Sequence, residues 1–133
     1  MKLTLLFSAL CASTLSLALA DEITLETARP VVIKCVPEPG SATVDPSLTE
    51  IRVSFNKDMQ PGAWSWAMIN KETYPGTSES PRYLDDKRTC VLPVKLQPGK
   101  TYVVWINSEK LQNFKDTKGM VAVPYLLAFK TRD

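Results

Sequence analysis

The chain has 133 residues, with 16 basic and 14 acidic side chains, a formal charge of +2, and no histidine. A balance this close to neutral gives no electrostatic reason to bind nucleic acid or an anionic membrane. Without an imidazole, Ser-His-Asp and Cys-His catalysis in their usual forms are excluded, as are histidine-based zinc sites.

The first segment, MKLTLLFSALCASTLSLALA, carries one lysine, an apolar run and an Ala18-Leu19-Ala20 end. It reads as a secretory signal over residues 1–20 with an A-x-A cleavage site. An uncleaved anchor is the competing expectation, but Ser13, Thr14 and Ser16 dilute the run. Cys11 lacks the small preceding residue that a lipoprotein site needs, since Leu10 stands there. Cleavage leaves 113 residues at a net charge of +1, enough for one core and too few for two. The expected destination is the periplasm or the medium, with no membrane insertion once the signal is gone.

Residues 21–29 are acidic and expected to form a flexible tail, and residues 30–133 to form a single domain. Within it, short alternating runs are broken by Pro, Gly, Asn and Asp, the pattern of an all-β fold. RPVVIKCVP predicts a first strand with Val31, Ile33 and Cys35 on one face and Lys34 on the other. LTEIRVSF places Ile51, Val53 and Phe55 inward. AWSWAMI gathers Trp64, Trp66 and Met68 on one face, and the polar stretch Asn70 to Ser80 follows. RYLDD predicts a short strand before a turn at Asp85 and Asp86. RTCVLPVKL aligns Cys90, Leu92, Val94 and Leu96, with Pro93 out of phase and therefore expected at an edge or a bulge. TYVVWIN and YLLAFKT supply the last strands. About seven short strands without crossover helices predict an immunoglobulin-like two-sheet antiparallel β-sandwich.

Two of these strands carry Cys35 and Cys90, and an oxidising compartment would favour a bridge between them. If LTEIRVSF lies between their strands, however, the backbones stand ~9.5 Å apart. A disulfide needs less than about 7 Å. Two buried free thiols are therefore expected.

In LQPGKTYVVWIN, Pro98 and Gly99 suit a tight corner ahead of Tyr102. A tyrosine near the start of the sixth strand of such sandwiches turns its hydroxyl back to the upstream backbone. A structural role is thus expected of Pro98, Gly99 and Tyr102. With Tyr102, Val104 and Ile106 inward, Val103 and Trp105 must point outward.

VPEPGSATVDPSLTEIRVSFNKDM resembles the start of the bacterial immunoglobulin-like domains known from the S-layer protein SbsA, through Pro37, Gly40, Val44, Pro46, Ile51, Val53, Phe55 and Met59. LQPGKTYVVWIN and FKDTKGMVAVPYLLAFKT are similar to the final hairpin of that family, with Asp116 and Gly119 shaping the last loop. The resemblance implies a non-catalytic module of a surface or secreted protein.

No catalytic constellation, cofactor motif or metal-ligand spacing emerges from the chain. Asp85 and Asp86 are adjacent and read as a solvated turn. Asp116 could serve a calcium loop, but Lys110, Lys115 and Lys118 surround it in sequence, and a turn-shaping role is expected instead. The aromatics remain: Trp64, Trp66, Trp105 and Phe114, with Val103, form the candidate binding surface. The expected partner is an unidentified protein or another cell-envelope component. The alternative is a carbohydrate stacked on the surface tryptophans.

Overall fold

The computed structural model describes residues 22–133; residues 1–21, which hold the expected signal and its cleavage site, lie outside the described residues. The described chain is all-β, with eight strands: β1 (Val32–Val36), β2 (Glu50–Phe55), β3 (Trp66–Met68), β4 (Gly76–Thr77), β5 (Arg82–Tyr83), β6 (Thr89–Lys95), β7 (Thr101–Ile106) and β8 (Tyr125–Lys130). They make two antiparallel sheets. The larger has five strands in the order β1-β2-β6-β4, with β5 also on β6, and the smaller has three in the order β3-β7-β8.

Alternation sets which side chains meet between the sheets. Strand β2 alternates as the sequence predicts, burying Ile51, Val53 and Phe55 completely. Their counterparts from the smaller sheet are Tyr102, Val104, Ile106, Leu127 and Phe129. Each such side chain contributes about 1.5–3 kcal/mol by leaving water, and together they are what joins the sheets.

Strand β1 departs from the expected pattern. Val32 pairs with Phe55 and Lys34 with Ser54, so Ile33 is an extra residue in a bulge. The bulge resets the phase: Cys35 is buried, whereas Val31 and Ile33 are 39% and 64% exposed. The face expected from Val31, Ile33 and Cys35 is therefore corrected to Val32 and Cys35.

Pro93 is also placed differently from expectation, because β6 is an inner strand. Val94 donates its N–H to Thr49 on the β2 side, so by alternation the ring nitrogen of Pro93 faces the other neighbour. There the neighbouring edge is split into β4 and β5, which pair with Val94–Lys95 and Cys90–Val91 respectively. A residue with no N–H to give thus sits where the ladder is interrupted. The outer face of β6 holds a further surprise, fully buried Val91. It pairs with Arg52 and Arg82, and Glu50 accepts from both guanidiniums at 2.6 Å and 3.2 Å. In register with Val91, both arginines share its face of the sheet.

Residues 22–29 do not simply trail away. The Ala28 N–H donates to the Thr24 carbonyl, and Lys57 donates its Nζ to the carbonyls of Glu26 at 3.0 Å and Ala28 at 2.9 Å.

Candidate functional site

The corner ahead of β7 is built as its residue types require. Gly99 takes φ +64°, and the N–H of Gln97 donates to the Tyr102 hydroxyl at 2.7 Å. Thr131 Oγ1 donates to the Gln97 carbonyl at 2.6 Å and accepts from the Lys100 N–H at 2.9 Å. Tyr102 is 1% exposed and its ring packs on Phe129. Its hydroxyl is buried and accepts from the backbone of its own corner, a structural role.

Phe114 does not belong to a surface. It is fully buried, 5.2 Å from the ring of Phe55 and 5.6 Å from that of Trp66. The residue that puts it there is Asn107, which the sequence reading passed over. Asn107 takes φ +57°, and its amide donates to the carbonyls of Phe114 and Ala122 at 2.8 Å and 3.0 Å while accepting from the Phe114 N–H at 2.9 Å. Asparagine tolerates this left-handed conformation better than most residues, and its amide mimics a strand partner. An Asn closing a strand just ahead of a polar loop was the available signal.

Asp116 shapes its loop. Its Oδ1 accepts from the N–H groups of Lys118 and Met120, both at 2.9 Å, its Oδ2 meets Lys57 Nζ at 2.7 Å, and Gly119 takes φ +86°. Burial by itself would push this carboxyl up, but the Lys57 ammonium and the two N–H donors outweigh it and hold the carboxyl below its ordinary value. With its oxygens so engaged, Asp116 is a loop organiser. Asp86 works similarly, accepting the Thr89 hydroxyl at 2.6 Å and the N–H groups of Arg88 and Thr89. Among the described residues no three His, Cys, Asp or Glu side chains gather as metal ligands.

Cys35 and Cys90 both pair with Val53, from opposite sides of β2, and both thiols are free and buried. Burial pushes Cys35 up to about 11 and Cys90 up to about 12, so neither forms a nucleophilic thiolate near neutrality.

The tryptophans divide. Trp66 is 9% exposed and belongs to the core. Met68 shares its face but lies half-exposed on β3, the edge of the smaller sheet. Trp64 is partly buried, its ring 6.3 Å from Tyr83. Trp105 stands on the outer face of the smaller sheet, between Ala67 on β3 and Leu126 on β8, with Val103 and Ala128 forming the next pair. Both Val103 and Trp105 are partly buried. Beside them runs a groove of about 490 Å³ lined by Met68, Ile69, Trp105, Ser108, Glu109, Lys110 and Pro124. Leu126, Met68 and Ile69 are 41%, 50% and 51% exposed, a run of apolar surface that the core does not use.

Two facing antiparallel sheets, closed by a tyrosine corner and a loop-ordering aspartate, define an immunoglobulin-like sandwich. The model of the bacterial Ig-like domain family matches residues 26–131, and the chain belongs to that family. Domains of this kind are commonly non-enzymatic modules of surface proteins. No curated protein sequence matches the chain. Among solved structures it is similar to the crystal structure of the S-layer protein SbsC, at 23% identity and a TM-score of 0.49, over 79% of this chain. The chain spans 14% of that protein's length.

Proposed function

We propose that the chain is an exported, non-enzymatic interaction module that holds a protein of the cell envelope through the outer face of its smaller sheet. The observation that supports this most is the apolar surface of Trp105 and the exposed Leu126 on that face, continued at the adjoining β3 edge by the exposed Met68 and Ile69. Aromatic and aliphatic side chains on a strand face and along its edge groove, with Glu109 and Lys110 at the rim, match the make-up of a protein interface core and its polar border. The family supports a location at the cell surface or outside the cell, and the leader-like residues 1–20 support export.

Pull-down from the native envelope with the wild type, Trp105→Ala and Leu126→Lys tests this proposal. One dominant protein retained by the wild type and lost with both variants is the expected result. Equal recovery by all three would exclude this face.

A further inference from the structure

We propose that the cleft between β3 and the split β4/β5 edge is a binding site for a neutral oligosaccharide, separate from the Trp105 face and independent of its role. The cleft follows from Pro93. Because that residue has no N–H to donate, the chain between Thr77 and Arg82 is free of the ladder on this side of β6, apart from Ser78, whose N–H donates to the Pro93 carbonyl at 3.2 Å. Residues of this stretch line a cleft of about 550 Å³ together with Trp64, Tyr74 and buried Leu92. That volume lies within the ~300–1,000 Å³ of small-ligand sites.

Three features of the lining set the class of ligand. The aromatics are fixed in advance: Tyr74 donates its hydroxyl to the Trp66 carbonyl at 3.0 Å, and Tyr83, against which Trp64 packs, donates to the Ala63 carbonyl at 2.8 Å. Both hydroxyls brace the short segment that carries Trp64, so little side-chain freedom is lost when a ring settles on it. The polar side chains are free: Thr77, Ser78, Glu79, Ser80 and Asn113 have no side-chain hydrogen bond among the described residues, although they surround the cleft. Hydroxyls, an amide and a carboxylate beside aromatic surface match a ligand with apolar ring faces and a hydroxyl periphery. Finally, no Lys or Arg lines the cleft and Glu79 is its one charged residue. A phosphate, sulfate or uronate would meet a like charge there with no cation to offset it.

The test is an array of neutral and anionic oligosaccharides and of short basic peptides, followed by titration of the retained neutral glycan against tryptophan fluorescence. Retention of neutral glycans, with about tenfold weaker binding for Trp64→Ala, is the expected result. Asn113→Ala and Glu79→Gln lie at exposed positions that the core does not use. Each is expected to weaken binding about fivefold without moving the melting temperature, which keeps the test decisive if Trp64→Ala fails to fold. Trp105→Ala is expected to bind as the wild type does. An array silent for neutral glycans overturns the proposal, as does selective retention of basic peptides or binding that only Trp105→Ala weakens.

Discussion

At the scale of single residues, three side chains hold the connections of the smaller sheet, and each makes a measurable claim. Tyr102→Phe removes the acceptor of the Gln97 N–H and should cost about 1–3 kcal/mol in denaturant unfolding. A change within experimental error would show that the corner does not depend on the hydroxyl. Phe114→Ala should cost about 3–5 kcal/mol, as befits a core aromatic; a surface residue would cost no more than about 0.5 kcal/mol. Asp116 carries a pH dependence. Its carboxyl is held below the unfolded value of about 3.9, so its stabilisation is complete above that value and is lost as pH falls through the lower folded one. Acid titration of stability should therefore show a steeper fall below about pH 4 in the wild type than in Asp116→Asn. The tyrosine was legible in the sequence because its corner has a fixed spacing from proline and glycine. Phe114 was not, because a lone aromatic in a polar loop has no period, and only the long-range clasp of Asn107 draws it inward.

Among the elements, β2, β7 and β8 read directly from their alternation, since both of their neighbours or faces impose a period of two. Strand β1 did not, because the Ile33 bulge breaks the period at one residue and leaves no mark in composition. Strand β4 is not legible for another reason: two residues, Gly76 and Thr77, are too few to carry a pattern. The strand order itself decides the cysteine question. With Val53 between Cys35 and Cys90, their backbones lie two strand spacings apart, ~9.5 Å, beyond the reach of a disulfide. Mature protein denatured without reductant should titrate two thiols, and native protein near neutral pH should react slowly because burial keeps both protonated. Finding no free thiol after denaturation would mean that β1 pairs elsewhere.

At the scale of the molecule, the surfaces that folding leaves unused include the apolar outer face of the smaller sheet and the mixed cleft at the split edge of the larger one. The outward direction of Trp105 was already legible from the inward phase of Tyr102, whereas the cleft needed the tertiary placement of Thr77 to Pro81 against Trp64. An association through the outer face, being largely apolar, should change little between low and high salt. The most direct test of the central claim is photo-crosslinking in the producing cell, with a photoreactive residue at Leu126 and, as a comparison, at Lys34 on the other sheet. One dominant protein adduct from position 126, absent from position 34 and lost with Trp105→Ala, is what the proposed interface predicts. No adduct from position 126, or the same adducts from both positions, would contradict it.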